Sequence, residues 1–440
     1  MTDLEIRPLT PDDDLDAQID LGERAFGPLS AAGRASWMDL TRLRVGQGLV
    51  LGAFLAGRPA GAATVHDMRQ WWHGRAVPSA GVASVKVGPE HRGQGIGRRL
   101  MTAVLDLIAE LGYPVSALYP ATMPLYRSLG WELAGSKSEA TIPARSLLSL
   151  VPPDPHTLAT PPTPAAPATP AAPVPPGDGA PSARVPDLRR AGPGDAAAVN
   201  EIIGRAHEAA RDCGPITWDA GPIERWLARA DLYAYLTGDG FAAYRWDGDH
   251  GLFVECVYGV SAETVRALWS LIASHSSVAR TVRALVAPAD PLWWLTRERD
   301  VTVTRRTMWM LRVVDATAAI DARGFPPGVS VTVPLVITDQ SRPANSGHWE
   351  LTVSEGNGIL IPNGPGILGT PASSTPQPGS PAAPSPRAAL ALGARGLAAL
   401  YAGTPVTTLR QAGLASGGTP EADASLDAAF AATPYMLDDF

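Results

Sequence analysis

The sequence predicts an α/β protein of about three domains. Its 440 residues correspond to three domains at roughly 150 residues each. Short apolar stretches typical of strands alternate with segments that carry apolar residues at helical spacing. Hydrophobic residues make up 45% of the chain, which is enough for sizeable cores and excludes a mainly disordered protein.

Composition and charge exclude several classes of function. The 36 basic and 43 acidic residues give a formal net charge of −7, which argues against a general nucleic-acid binder and favours a cationic partner. The two cysteines, Cys213 and Cys256, are too few for a disulfide framework or a thiolate zinc site. The eight histidines show no H-x-x-x-H spacing. We therefore expect no metal site.

The N-terminus and the hydropathy predict a soluble, cytoplasmic protein with no membrane partner. The opening MTDLEIRPLTPDDD is acidic, whereas a signal peptide begins with basic residues and continues with apolar ones. No uninterrupted apolar run reaches the ~18 residues that a membrane-spanning helix needs.

The first domain is predicted to cover residues 1–150 and to mix strands with helices. Residues 48–55 and 81–87 are apolar and typical of strands, and 115–119 has the character of a further buried strand. Residues 97–111 carry apolar side chains at helical spacing and predict an amphipathic helix.

A Pro-rich tract and a faint repeat delimit the second domain. Residues 151–186 are rich in Pro, Ala and Thr, so they have almost nothing to bury and predict an extended, exposed linker. After the linker, LRRAGPGDAAAVNEIIGRAHEAAR repeats the theme of LEIRPLTPDDDLDAQIDLGERAF, with a short strand, an acidic cap and a helix. The repeat predicts a duplicated domain at 187–311.

The last domain is predicted at 312–440. The alternation in VSVTVPLVITD and HWELTVSEGNGILIP indicates an antiparallel sheet, and the Ala- and Leu-rich stretches at 387–400 and 422–432 are helical in character. A second Pro-rich tract at 369–388 predicts a disordered insertion inside this domain.

The segment SVKVGPEHRGQGIGRRL, which starts at Ser84, carries the chemistry. It joins a strand to a helix through a glycine-rich turn, and Gly93, Gly95 and Gly97 allow positive φ angles and a close approach of a ligand to the backbone. The N–H groups from Arg92 to Arg98 converge at a helix N-terminus, which suits a phosphate. The spacing G-x-G-x-G differs from the G-x-G-x-x-G of dinucleotide-binding folds, and the G-K-[ST] of a Walker loop is absent.

The pattern V-x-V-x-P-x-x-R-G-x-G-x-G resembles the pyrophosphate-binding loop of the GNAT N-acetyltransferases. This resemblance implies acetyl-CoA as the co-substrate, with a backbone N–H of the strand bonding the thioester carbonyl and stabilising the oxyanion. The residues that it assigns to acetyl-CoA are Val85, Val87, Arg92, Gly93, Gly95, Ile96, Gly97 and Arg98.

A tyrosine is the candidate proton donor to the departing CoA thiolate. A thiol with a pKa near ~8.5 is well matched by a tyrosine with a pKa near ~10. Tyr126 lies in a short helix after the next predicted strand, where GNAT folds place the thiolate, and Tyr119 ends that strand. Tyr126 is the better candidate, and Tyr119 is more simply explained as a core aromatic.

The resemblance extends to the Eis (enhanced intracellular survival) family of actinobacterial aminoglycoside N-acetyltransferases. It rests on PSAGVASVKVGPEHRGQGIGRRL, on GYPVSALYP followed by LYRSLGW, on MWMLRVVD leading to AR, and on the ending LDAAF with a terminal DF. It implies tandem GNAT folds and a C-terminal sterol-carrier-like α/β domain in a homohexamer. The first GNAT fold is active, and the central one lacks the glycine loop and is degenerate.

The same resemblance implies the roles of the remaining site residues. Tyr126 is the general acid, and the C-terminal carboxylate of Phe440 is the general base. Asp439 supplies negative charge for a cationic acceptor, and Trp37 forms a wall of the acceptor pocket by cation–π contact. Ser84 stands where relatives carry a bulky aromatic residue beside that pocket.

The sequence thus predicts acetyl-CoA-dependent N-acetylation of a small cationic amine such as an aminoglycoside, by direct transfer. Two alternatives stay open. In the first alternative, the chemistry is the same but the acceptor is a protein lysine or a polyamine. In the second, the chain is a lipid-binding scaffold whose GNAT domain is vestigial. A deep acidic pocket favours the small amine, and a large apolar cavity in the last domain favours the scaffold.

Overall fold

The computed structural model describes residues 4–150, 187–363 and 389–440, apart from Asp249 and Arg299. The linker predicted at 151–186 and the insertion predicted at 369–388 both lie outside these described residues.

The elements follow the predicted alternation of strands and helices. The first region contains β1 (Leu4–Pro8), α1 (Leu15–Phe26), α2 (Ala31–Gly46), β2 (Val50–Leu55), β3 (Arg58–Trp72), β4 (Arg75–Val87), α3 (Ile96–Glu110), β5 (Val115–Leu118), α4 (Met123–Arg127) and β6 (Glu132–Pro143). The central region contains β7 (Arg189–Arg190), α5 (Ala196–Ala210), β8 (Cys213–Thr217), α6 (Ala220–Leu227), β9 (Tyr233–Leu236), β10 (Gly240–Asp247), β11 (Gly251–Gly259), α7 (Ala262–Ala273), β12 (Thr281–Val286), α8 (Leu292–Leu295) and β13 (Thr302–Val313). The last region contains α9 (Ala316–Ala322), β14 (Val331–Thr338), β15 (Gly347–Ser354), β16 (Asn357–Pro362), β17 (Leu390–Gly393), α10 (Ala394–Tyr401), α11 (Val406–Gln411), β18 (Ala415–Gly417) and α12 (Pro420–Ala429).

The chain forms two compact units. The first comprises Met1–Lys137, His207–Asp219 and Arg306–Phe440, and the second comprises Ser138–Ala206 and Ala220–Arg305.

In the first unit, strands β1 to β4 form an antiparallel sheet in chain order, and β5 then pairs parallel to β4. Strand β13 continues the sheet beyond β5, and β8 pairs with the end of β3. The apolar stripe of α3, which includes Leu100, Val104 and Ile108, is fully buried. It packs with Ala63, Val65 and other sheet residues in one core, so the amphipathic helix covers one face of this sheet.

The last region adds a five-stranded sheet to the same unit, in the order β16-β15-β14-β17-β18. The two stretches predicted to form an antiparallel sheet do so, because β15 pairs antiparallel with both β14 and β16. Strand β17, which was not predicted, runs parallel to β14 and makes the whole sheet mixed. The predicted helix at 387–400 is wrong in its first part, because Leu390–Gly393 forms β17 and the helix α10 begins only at Ala394. Leu390 and Leu392 are buried alternately with more exposed neighbours, so pairing with β14 overrides the helical propensity of an Ala- and Leu-rich segment.

A buried arginine lies in the core shared by the first and last regions. The Arg323 guanidinium carbon lies 4.9–5.2 Å from the ring centroids of Trp72, Phe325, Tyr401 and Phe430. Trp72 belongs to β3, whereas the other three rings belong to the last region. Cation–π attraction by four rings compensates part of the cost of removing this charge from water.

The second unit repeats the strand-and-helix arrangement around its own core, with strands in the order β6-β12-β11-β10-β9-β7. Trp269 and Ile272 of α7 pack against Val254 and Val282 of the sheet. Here the strand β11 leads through Val260 to Ser261, whose side chain caps α7. The central domain therefore has no glycine loop before this helix, as the sequence predicts.

Within the described ranges, no helix is both long enough and apolar enough to cross a bilayer. Nor do three or more His, Cys, Asp or Glu side chains come together there in a group that would hold a metal ion.

Candidate active site

A β-bulge interrupts β4 beside the glycine-rich loop. Ala62 pairs with Lys86 and Thr64 pairs with Ala83, so two residues of β4 face a single residue of β3. Ser84, one of these two, has a φ of 51° in the left-handed region, which residues other than glycine rarely adopt. The ladder between β4 and β5 runs only as far as Val82, so the bulge lies beyond it.

The glycine-rich loop ends in an uncapped helix N-terminus. Gly93 and Gly95 have φ angles of 76° and 77°, and Gly95 is the N-cap residue of α3 without a side-chain hydrogen bond. The Arg99 N–H donates to the Gly95 carbonyl, so helix geometry leaves the preceding N–H groups of residues 96–98 without carbonyl partners in the described chain. Together with the exposed Arg92 and Arg98, these donors give the start of α3 the positive character that suits an anion.

The structure buries Tyr126, the predicted proton donor to the CoA thiolate. It lies in α4 and is buried with Leu118, Leu129 and Trp131 in the core that α3 covers. Burial raises the pKa of the Tyr126 hydroxyl above its ordinary value of 10.0. The phenol therefore keeps its proton at neutral pH and can donate it.

The C-terminal residue Phe440 packs against β4. A Cβ atom placed on Gly81 would lie 2.8 Å from Cδ2 of the Phe440 ring, so only glycine leaves room for the ring at this position. The Phe440 ring centroid also lies 5.5 Å from that of Tyr119 and 6.4 Å from that of His66.

Three hydrogen bonds hold the C-terminal tail, residues 435–440, in place. The Tyr435 N–H donates to the Cys213 carbonyl at 3.0 Å, and the Met436 N–H donates to the Ser136 carbonyl at 3.2 Å. The Tyr119 hydroxyl donates to the Asp438 carbonyl at 2.8 Å. Tyr119 is therefore more than a core aromatic, because its hydroxyl binds the tail two residues before Phe440.

The predicted acceptor residues Asp439 and Trp37 both contact lysines of this chain. Asp439 forms an ion pair with Lys137, which compensates its negative charge. The Lys86 ammonium lies 4.8 Å from the ring centroid of Trp37, so the chain itself supplies a cation to the ring. Burial lowers the pKa of Lys86 to about 8.

The site includes an uncharged histidine that sequence reasoning did not single out. Burial, together with the charge of Arg44, lowers the pKa of His66 to about 3, so the imidazole is neutral at physiological pH. Its ring also lies 6.0 Å from that of Trp218 in an edge-on contact. No motif marks His66, because its role depends on contacts with residues far along the chain.

Three family models match the chain in the expected order. Two are described as an acetyltransferase (GNAT) domain and match residues 5–134 and 216–313, and a sterol carrier protein domain matches residues 316–437. These matches confirm the predicted tandem GNAT folds followed by a sterol-carrier-like domain. The GNAT fold in turn implies a co-substrate of the acyl-CoA type.

Individual proteins agree with this architecture. The chain is 28% identical over 323 residues to the N-acetyltransferase Eis of Mycobacterium tuberculosis, which covers 71% of this chain and 73% of that relative. A crystal structure of a GCN5-related N-acetyltransferase from Kribbella flavida is 39% identical, covers 100% of this chain and 99% of its own, and has a TM-score of 0.84. Eis1 from Mycobacterium abscessus shares the fold at 23% identity and a TM-score of 0.68, with 99% and 100% of the two chains covered.

The order of the domains thus agrees with a similarity that spans the whole chain. The protein belongs to the GCN5-related N-acetyltransferases and, among them, to the Eis type.

Proposed function

We propose that the protein transfers the acetyl group of acetyl-CoA directly to an amino group of a small cationic amine, the class that includes the aminoglycosides. The observation that carries this proposal is the bulge in β4, which lies between the glycine-rich loop on one side and the Phe440 ring on Gly81 on the other. An acyl donor and a residue with a free carboxylate would meet at this strand.

The main chain would bind and orient the acetyl-CoA. The N–H groups at the start of α3, after Gly95, suit the diphosphate of CoA. The bulge at Ser84 and Val85 turns backbone groups out of the strand ladder, so one N–H is available to the thioester carbonyl. Such a donor stabilises the negative charge that develops on the carbonyl oxygen as the amine attacks.

Tyr126 would protonate the departing sulfur. Its raised pKa keeps the hydroxyl protonated until a thiolate, with an ordinary thiol pKa near ~8.5, develops beside it. The reaction breaks the carbon–sulfur bond and forms the amide bond, and no covalent bond to the enzyme is required.

The carboxylate of Phe440 would accept the proton that the amine loses. A carboxylate with a pKa of roughly 3.5 is a weak base for an ammonium ion, so burial or an intervening water is needed to make it effective. The contacts with Gly81 and Tyr119 and the bond to the Asp438 carbonyl keep this residue on the strand.

The proposal is tested by measuring thiol release from acetyl-CoA over a panel of aminoglycosides, polyamines and lysine peptides. We expect Tyr126→Phe to lower kcat by about 10²-fold or more, as general acid–base catalysis typically contributes. Tyr233→Phe in the second unit, also a partly buried tyrosine, is the matched control and should leave kcat unchanged. Absence of thiol release with every amine would refute the proposal.

The base is tested separately by adding two residues after Phe440, which replaces its carboxylate by an amide. We expect kcat to fall while the affinity for CoA is kept. Unchanged turnover in the extended chain would rule out the carboxylate as the base.

The resemblance also suggests a homohexamer, whereas the net charge, the hydropathy and the acidic opening of the sequence suggest a cytoplasmic protein with no nucleic-acid or membrane partner. Light scattering on the purified protein should then give a mass six times that of the chain, and a monomer mass would contradict this proposal.

A further inference from the structure

The second unit carries a groove that the proposed acetyl transfer does not use. The groove has a volume of about 510 Å³, within the range of roughly 300–1,000 Å³ that is typical of small-molecule sites. None of its residues belongs to the glycine-rich loop, to α4 or to the C-terminal tail. The polar residues that line it are Arg145, His250, Ser276, Ser277 and Arg280.

The groove lies at the edge where three neighbouring strands of this unit begin or end. Pro143 of β6 pairs with Thr281 of β12, which pairs in turn with Gly251 of β11. Arg280 and His250 each come one position before these paired residues, and the Arg280 N–H donates to the His250 carbonyl at 2.8 Å. The sheet therefore fixes the backbone from which both side chains project.

Two arginines give the groove a positive charge. The Ala144 N–H donates to the Arg280 carbonyl at 3.0 Å, which brings the backbone next to Arg145 against that of Arg280. Both arginine side chains are exposed, and neither takes part in an ion pair within the described ranges.

Other arginines of the same unit do pair with carboxylates, namely Arg229, Arg245 and Arg283. None of the described residues that line the groove is acidic. The groove is thus a local concentration of positive charge on a chain whose net charge is −7.

Two serine hydroxyls add neutral hydrogen-bond donors. Ser276 and Ser277 lie in the helical turn after α7, and neither hydroxyl bonds to another described residue. The N–H groups of Val278 and Ala279 already donate to the His275 carbonyl, at 2.9 and 2.7 Å. A ligand in the groove would therefore be bound chiefly by side chains.

We propose that the groove binds a phosphate dianion, either free or as the monoester of a small molecule. A phosphate monoester carries a charge of roughly −1.5 to −2 near neutral pH, which matches the two guanidinium groups. A guanidinium presents parallel N–H donors that bind phosphate oxygens in pairs, and serine hydroxyls and an imidazole N–H suit the remaining oxygens. A carboxylate, with a single charge, would leave one arginine unmatched. The groove belongs to the second unit, so this proposal is independent of the proposed acetyl transfer.

Titration calorimetry on the full chain tests the site with three probes, which are inorganic phosphate, glucose 6-phosphate and glucose. One equivalent of CoA is present, so that the start of α3 is occupied. We expect both phosphates to bind with a Kd of about 1 mM, as two charge-assisted contacts in an open groove allow. Glucose, which has the same ring without the phosphate, should give no heat of binding. Tighter binding of glucose 6-phosphate than of inorganic phosphate would identify a monoester as the ligand, and the reverse order would identify free phosphate.

Arg145→Gln and Arg280→Gln should each weaken the binding of both phosphates about tenfold, because each removes one charge-assisted contact. Arg280→Lys keeps the charge without the paired donors, so we expect a loss of only about threefold. Arg266→Gln removes the same charge from an exposed position of α7 outside the groove and is the matched control, with an unchanged Kd.

Three results would overturn the proposal. They are no heat of binding with either phosphate, an affinity that both Arg145→Gln and Arg280→Gln retain, and an equal loss of affinity in Arg266→Gln. The last result would show that phosphate responds only to the net charge of the protein and not to the groove. Both glutamine variants alter exposed side chains, and an unaltered thermal unfolding midpoint confirms that each variant is folded.

Discussion

Replacing Gly81 by alanine tests whether the C-terminal residue takes part in catalysis. The added Cβ would lie 2.8 Å from Cδ2 of Phe440, 3.0 Å from its Cε2 and 3.1 Å from Sδ of Met68. Favourable carbon–carbon contacts are roughly 3.5–4.0 Å long, so the ring must withdraw by about 1 Å. The φ angle of Gly81 is not positive, so alanine is compatible with the strand backbone at this position. The terminal ring, and with it the carboxylate, is therefore the part that moves.

A displacement of about 1 Å of a positioned catalytic group costs about 10²-fold in rate. We expect kcat for thiol release to fall by that factor, while the Kd for CoA measured by calorimetry stays the same. Gly221→Ala is the control, because its Cβ would find its nearest atom, Nη1 of Arg225, at 3.7 Å. An unchanged kcat in Gly81→Ala would refute the catalytic role of the tail. A loss of CoA binding would refute the reasoning too, since it would show that the substitution disturbs the strand rather than the tail.

Three further substitutions test the surrounding groups. Lys86→Met should raise the free energy of unfolding at pH 7 by about 2 kcal/mol. The substitution removes the cost of burying the ammonium charge, about 3 kcal/mol, and loses its hydrogen bond to the Gln18 carbonyl, about 1 kcal/mol. The pKa of Lys86 is about 8 when folded and 10.5 when unfolded, so this cost is complete below pH 8 and disappears as the pH rises to 10.5. Urea titrations at pH 7 and pH 10 measure it, and equal stabilities at pH 7 would contradict the burial of a charge. Tyr119→Phe keeps the ring beside Phe440 but loses the hydrogen bond to the Asp438 carbonyl. We therefore expect kcat in the thiol-release assay to fall about fivefold. A kcat equal to that of the unaltered protein would show that this hydrogen bond does not position the tail. Gly95→Ala places a side chain at a residue whose φ is 77°, a left-handed conformation that is strained for alanine. We expect the affinity for CoA, measured by calorimetry, to fall about tenfold. An unchanged Kd would argue against diphosphate binding at the start of α3.

The parts of the site that are encoded locally were predictable from the sequence. The glycine loop depends on the conformation of consecutive residues, so the spacing of Gly93, Gly95 and Gly97 identifies it directly. The family comparisons confirm the class of enzyme inferred from this segment and the domain order implied by the wider resemblance. The helix α3 was predicted to within a residue at each end, because its apolar stripe has a clear helical period.

The parts that depend on contacts between distant segments were not predictable. Nothing in the neighbourhood of Gly81 indicates that it makes room for Phe440, and nothing near Lys86 indicates that its ammonium lies over Trp37. The parallel strand at Leu390–Gly393 was missed for the same reason, since its partner β14 decides its conformation. A single sequence carries the propensity of such segments but not the identity of their partners.

The aromatic cage around Arg323 has a consequence for how this architecture can be inherited. Three of its rings belong to the sterol-carrier-like domain and the fourth, Trp72, belongs to the first acetyltransferase domain. Recombination that replaced either domain alone would leave the guanidinium beside an unmatched surface, so a functional chimera has to bring both ends of the gene from the same parent. The two terminal domains are therefore expected to evolve as one inherited module, although the central domain separates them along the chain.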